Sequence, residues 1–233
     1  MRAVHLLLWV ALPYVAIAIF LAGHVWRYRT DQYGWTSRST QILESRWLKW
    51  GSPLFHFGAL AAIGGHVLGM LVPESWTSAV GVSEDGYHLL SATAGTLAGV
   101  ACGAGLVILM WRRAASPRVR VTTTRMDMLV YALLALVIGL GLTETIGRNV
   151  FGGGYDYRAT VGVWFRSIVF FHPEPDAMVG APILYQLHAV AAWLILLVWP
   201  FSRLVHAWSI PLQYIGRPYI LYRRRWAAAP RRR

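Results

Sequence analysis

Apolar positions fall into five long, nearly unbroken runs, roughly residues 3–26, 48–71, 88–111, 126–146 and 183–208, and most of the charge lies in the connections. Each run reaches the ~20 residues needed to cross a hydrocarbon core as a helix. A segment of that length leaves no backbone group unpaired in lipid only when it is helical. The pattern predicts an all-α integral membrane bundle of five transmembrane helices, with residues 1–226 as one membrane domain and residues 227–233 as a basic, disordered tail. Glycines recur inside the runs, Gly64, Gly65 and Gly69 in one and Gly95, Gly99 and Gly103 in another. Small residues at this spacing let a neighbouring helix or a flat cofactor come close, and plain helix packing is the simpler reading.

Charge decides the direction of threading. Arg27, Arg29, Arg38, Arg46 and Lys49 fill the first connection, and Arg112, Arg113, Arg118, Arg120 and Arg125 the third. Seven arginines from Arg217 to Arg233 follow the last run. The second connection, with Glu74, Glu84 and Asp85, has no lysine or arginine, and the longer fourth has Arg148, Arg158 and Arg166. Positive charge stays inside, so the N-terminus is expected outside and the C-terminus in the cytoplasm. The first run has its basic flank after it and no small-residue cleavage site, so it reads as a retained span.

Composition narrows the class further. The chain is 56% hydrophobic and 14% charged, with a mean hydropathy of +0.45, which argues against an ordinary soluble domain. Its net charge of +12 suggests nucleic acid at first sight, but the basic residues sit in blocks between spans and no nucleic-acid-binding signature is present. The charge reads as topology and membrane lipid contact. A single cysteine, Cys102, excludes an internal disulfide, a C-x-x-C-H haem attachment and a cluster held by this chain alone.

Four histidines lie within the apolar runs, His56 and His66 in the second, His188 and His206 in the fifth. An imidazole in hydrocarbon calls for a partner. With the two runs antiparallel, His66 pairs with His188 near the outer face and His56 with His206 near the inner. Ten positions separate the first two and eighteen the second two, or ~15 Å and ~27 Å of helix rise, a mismatch of ~12 Å. Eighteen residues also return His206 to the face of His188, whereas ten leave His66 turned ~80° from His56. Two imidazoles per iron would fill both axial positions and make an electron carrier rather than an oxygen binder. A metal-ion pathway or a proton relay is the competing reading. His5, His24, His88 and His172, near run ends, read as interfacial or hydrogen-bonded residues.

Four strings resemble the membrane cytochrome b, or gamma, subunit of respiratory nitrate reductase: Phe55-His56-Phe57-Gly58; Gly65-His66-Val67-Leu68-Gly69-Met70-Leu71-Val72-Pro73; Ser116-Pro117-Arg118-Val119-Arg120-Val121-Thr122-Thr123-Thr124; and Phe201-Ser202-Arg203-Leu204-Val205-His206-Ala207-Trp208-Ser209-Ile210-Pro211. The resemblance covers nearly the whole chain. It implies two b haems with His56, His66, His188 and His206 as axial ligands, the same four residues that depth pairing selects. It also implies oxidation of quinol, menaquinol or ubiquinol, near the outer face, with electrons passing to an iron-sulfur beta subunit and a molybdenum-cofactor alpha subunit that reduces nitrate in the cytoplasm. The location implied is the bacterial inner membrane. Inward electron transfer from an outward quinol site works against ~2.3 kcal/mol per charge per 100 mV and so conserves energy without a pump. A cytochrome b of another molybdenum or heterodisulfide-type reductase, or a haem-free membrane anchor, are the alternatives.

Where the family carries a lysine associated with quinol, this chain reads Asp85-Gly86-Tyr87-His88. His88 is the candidate that replaces it as quinol proton acceptor, against the plainer reading of an interfacial histidine. Arg203 and Arg112 are candidates for haem propionates, since guanidinium suits carboxylate, although the positive-inside rule alone places arginines there. Glu144, four residues before Arg148, is expected to pair with it. In the tail, Tyr214, Tyr219 and Tyr222 among arginines suit either anionic lipid or docking to the iron-sulfur subunit.

Overall fold

A computed structural model describes residues 2–209. The tail, with its expected docking and disorder and the 226/227 boundary, lies outside the described residues. Five helices are long and apolar enough to span a membrane: Arg2–Thr30, Leu48–Leu71, Glu84–Ala115, Arg125–Val150 and Ile183–Phe201. They are called here the first to fifth spans. No strand occurs among the described residues. Three spans run past the limits that hydropathy suggests, and capping side chains rather than apolar residues set where two of them begin. Ser83 Oγ accepts the Gly86 N–H to start the third span. Thr124 and Asp127 exchange backbone-to-side-chain bonds in a capping box that starts the fourth.

Packing places the spans in an arc in the order second, third, fourth, fifth, first. The second and third are pressed together most tightly. A Cβ on Gly58 would strike the backbone of Cys102, and one on Gly105 would lie 2.9 Å from the Gly51 carbonyl oxygen. Gly99 and Gly103 receive Leu142 of the fourth span. Gly64 and Gly65 differ: a side chain there would meet nothing within 4 Å.

The two ends of the arc, the first and second spans, are joined by connections. A short helix, Val161–Val169, lies between them at one end of the bundle. Its Trp164 donates to the Trp9 carbonyl at 2.8 Å and packs edge-on against the Trp9 ring. Its Arg166 donates to the Met70 carbonyl at 2.9 Å, at the π-helical end of the second span. Trp164, Trp9, Ile168, Met178, Tyr185 and Trp193 form the main apolar core there. At the opposite, arginine-rich end, Arg112 is 3% exposed and binds the first connection through Thr40 Oγ1, the Thr40 and Glu44 carbonyls and Glu44 Oε2.

The fifth run departs from expectation. It is not one helix to residue 208: α-helix ends at Val198, a 3-10 turn covers Trp199–Phe201, Ser202 is extended at φ −113 and ψ −177, and a second 3-10 segment covers Arg203–Trp208. Apolar character continues through the break, so hydropathy does not reveal it. The break is held from outside. Arg27 of the first span, 3% exposed, donates to the Pro200 carbonyl at 2.7 Å and the Ser202 carbonyl at 2.9 Å. These are carbonyls that a helix end leaves without partners. Its other arm reaches the Gly34 carbonyl at 2.6 Å.

Candidate functional site

The redirected chain brings four histidines into two pairs. His66 and His188 have ring centroids 5.9 Å apart with planes 7° from parallel. His56 and His206 are also 5.9 Å apart, at 71°. Because the chain turns at Ser202, the eighteen positions between His188 and His206 do not stack along one axis, and the expected ~12 Å mismatch and shared helix face no longer apply.

Each ring is oriented by its own backbone where it can be. His56 Nδ1 lies 2.7 Å from the Ser52 carbonyl, His66 Nδ1 2.7 Å from the Ala62 carbonyl and His206 Nδ1 2.5 Å from the Arg203 carbonyl. A carbonyl only accepts, so these Nδ1 atoms carry the proton and each Nε2 keeps its lone pair. The second and fifth spans are not among the closely packed pairs, so the imidazoles face each other across a slot. Gly64 and Gly65 of the second span and Gly139 of the fourth offer no side chain beside it.

Fit to a metal-bearing ring follows from donor chemistry. Two metal–imidazole bonds of about 2 Å plus the ring radii come to roughly 6 Å, the spacing of both pairs. Among the described residues no three His, Cys, Asp or Glu side chains converge on one point. Each pair therefore offers two axial nitrogens, and a group that brings its own planar donor set, as a porphyrin does, matches them.

The basic residues divide differently from the sequence reading. Arg112 has its guanidinium committed to Thr40 and Glu44, so the propionate role considered for it gives way to anchoring the first connection. Burial draws the Glu44 carboxyl upward, but N–H bonds from Trp47 and Arg112 outweigh it and hold it below the usual carboxylate range. Arg203 donates from Nε to Asp127 Oδ1 at 2.8 Å. Asp127, 2% exposed, also lies 3.9 Å from Arg113. Arg203 thus anchors the segment that carries His206 while its backbone orients that ring.

Glu144 does not pair with Arg148. The fourth span winds as π-helix over Thr143–Val150, Arg148 lies over the Tyr155 ring at 5.4 Å, and Glu144 turns inward to within 4.0 Å of His188 Nδ1. His88 is exposed and lies against Gly154, whose φ is +85, in the connection after the fourth span. Its neighbour Tyr87 meets the Tyr157 hydroxyl at 3.0 Å and lies under Arg158, whose guanidinium sits 4.0 Å from the ring centroid. Burial and the Tyr87 hydroxyl push the Tyr157 phenol upward, so it remains a neutral donor. Arg27, Arg158 and Glu144 carry much of this geometry, yet in the sequence the two arginines look like ordinary connection charges.

Five spanning helices around two imidazole pairs define a membrane-embedded helical bundle with two-histidine sites. The chain belongs to the nitrate reductase gamma subunit family, whose match extends over residues 5–225. It is 43% identical over 219 residues to the nitrate reductase gamma chain of Bacillus subtilis (strain 168), covering 94% of this chain and 98% of that one. To the respiratory nitrate reductase 1 gamma chain of Escherichia coli (strain K12) it is 38% identical over 214 residues, covering 91% and 94%. To the nitrate reductase-like protein NarX of Mycobacterium tuberculosis (strain ATCC 25618 / H37Rv) it is 46% identical over 221 residues, 94% of this chain and 34% of that longer protein. The chain thus spans about a third of NarX and nearly all of the gamma chains.

Proposed function

We propose that this chain is the quinol-oxidising, di-haem b membrane subunit of a respiratory nitrate reductase in a bacterial inner membrane. The observation that carries the reading is the pair of imidazole pairs, each at a spacing suited to axial ligation, in a chain of this family. Two b haems bound there would supply one-electron carriage between the two ends of the bundle. His66 with His188 and His56 with His206 bind the irons. The Nδ1 bonds to Ser52, Ala62 and Arg203 fix three of the rings so that Nε2 faces inward. Arg203 stays a candidate for a propionate through its terminal N–H groups, with Asp127 holding its Nε.

The arginine-rich end, with Arg112, Arg113 and Arg203, is the cytoplasmic one by the positive-inside rule. There the chain would meet an iron-sulfur beta subunit and, through it, a molybdenum-cofactor alpha subunit. The opposite end, with His66, His188 and His88, faces outward. His88, beside Gly154, accepts a quinol proton there and releases it to the outside. Tyr87 and Tyr157 give that corner a hydrogen-bonded wall.

The test is a reduced-minus-oxidised absorption spectrum of the purified membrane complex, followed by addition of nitrate. Two b haems per chain, larger copurifying subunits and reoxidation by nitrate are expected. A complex without haem absorbance overturns the reading, and haems that nitrate leaves reduced assign the chain to another reductase. His88→Ala is expected to lower quinol oxidation with both haem spectra intact; unchanged oxidation removes His88 from the quinol site.

A further inference from the structure

His188 is the exception among the four histidines. The other three anchor Nδ1 on a backbone carbonyl, whereas His188 Nδ1 is buried and has no hydrogen-bond partner. Facing it at 4.0 Å is Glu144 Oε2. Glu144 is 8% exposed, and its other oxygen, Oε1, is likewise buried without a partner. Two groups that water ordinarily satisfies are thus set against each other at membrane depth, where an unmet donor or acceptor is costly. The fourth span is shaped to allow this. Gly141, three residues before Glu144, lies so close to the His188 ring that a Cβ there would be 2.9 Å from Cε1. The winding then changes to π-helix from Thr143, a feature common where a helix serves a site.

We propose that Glu144 is the positioning residue for His188. Its Oε2 accepts the Nδ1–H of that imidazole, which fixes the tautomer and turns Nε2 toward His66. Closing from 4.0 Å to hydrogen-bond length takes a shift of roughly an ångström, within reach of the terminal torsion of a glutamate. A carboxylate acceptor makes an imidazole a stronger donor to its metal than a carbonyl does. It therefore favours the more positive oxidation state of the iron bound there. The His66–His188 centre, with one carboxylate-backed ligand, becomes the stronger reductant. The His56–His206 centre, backed by uncharged groups, the Ser52 and Arg203 carbonyls and the Ser52 hydroxyl, becomes the acceptor. Glu144 thereby biases electron flow from the outer pair to the inner pair.

This inference rests on the haem reading above, and its test separates the two. In the intact complex, haem absorbance is titrated against potential for wild type, Glu144→Gln and Glu144→Asp, with His66→Ala identifying which wave belongs to the outer pair. Glu144→Gln keeps the shape and loses the charge. It is expected to raise the midpoint of the outer wave alone by about tenfold in the reduction equilibrium, or ~59 mV for one electron. It should also alter the low-spin ferric resonance of that haem only. Glu144→Asp, which keeps the charge but sets it one methylene further back, is expected to shift the outer wave less than Glu144→Gln does. Unchanged midpoints and resonances in Glu144→Gln overturn the proposal, as does a shift in the inner wave. If Glu144→Gln loses the outer haem, its retention by Glu144→Asp supports the proposal and its loss in both refutes it. A wild-type complex with no haem overturns the reading beneath.

Discussion

Replacing Arg27 by alanine takes away three charge-assisted bonds, to the carbonyls of Pro200, Ser202 and Gly34 at 2.7, 2.9 and 2.6 Å. Bonds to a charged donor contribute about 1.5–3 kcal/mol each, so the lower figure, apt where freed carbonyls find water near the membrane surface, totals roughly 4–5 kcal/mol. The loss falls on one place. Without Arg27 the first span touches the turn at Ser202 only by apolar packing, Gly23 on Pro200, Phe20 on Trp199 and Trp26 on Phe201. No hydrogen bond from it then reaches the freed carbonyls, so Arg203–Trp208 is less firmly presented to His56. The expected outcome is a lower thermal midpoint and loss of the cofactor from the His56–His206 pair, with the His66–His188 pair intact. Arg27→Lys, a point charge that cannot fork between carbonyls, should fall between alanine and wild type. Scanning calorimetry of the detergent-solubilised complex, with haem content read by absorbance, makes the comparison. Wild-type haem content together with a destabilisation under about 1 kcal/mol, an ordinary surface effect, would refute this account. So would loss of the cofactor from the His66–His188 pair in place of the His56–His206 pair.

Gly58→Leu drives a side chain into the backbone of Cys102 and Ala98. Overpacking of this kind costs about 1–3 kcal/mol or more, and unfolding in a graded denaturing detergent should show at least that. Asp127→Asn leaves Arg203 and Arg113 without a counter-charge in a buried setting, for about 3–5 kcal/mol. Adding Arg203→Gln should cost less than the sum of the two changes, because the partners share one network. Glu44 supplies a pH dependence. Its folded pKa lies below the unfolded one, so its contribution is complete above the ordinary value of about 4.3 and is lost as pH falls through the depressed folded value. Hydrogen exchange across residues 38–47 should therefore be flat above pH 5 and accelerate, relative to its intrinsic rate, only at lower pH; release near neutrality would sink the Glu44–Arg112 clamp.

The five spans are legible in the sequence because hydrocarbon demands long apolar runs. The two histidine pairs are legible because imidazoles are expensive there. What escapes the pattern is everything that hydropathy averages away. Trp199, Pro200 and Phe201 are as apolar as a helix interior, so hydropathy passes over the break at Ser202, and Pro200, which has no N–H to continue an α-helix, is its one mark in the sequence. Arg27, Arg112 and Arg166 count as charges in a connection, and nothing in their spacing tells which one clasps a carbonyl across the bundle. Glu144 and Arg148 have the spacing of an ordinary ion pair, and only the π-helical winding and the placement of Tyr155 separate them. The glycines with the closest contacts between the second and third spans, Gly51, Gly58 and Gly105, belong to no repeat that stands out from Gly64, Gly65 and Gly69.

Consecutive along the chain, the first and second spans sit at opposite tips of the arc, so no helical seam closes the ring. Its two rims are laced by connections: the stretch held by Arg27 and Arg112 at one end, the Val161–Val169 helix with Trp164 and Arg166 at the other. Between the rims the first and second spans are not among the closely packed pairs. These two tips are therefore tied to each other by four side chains of the rims rather than by helix packing, so truncating any one of them loosens a single rim and leaves the other fastened.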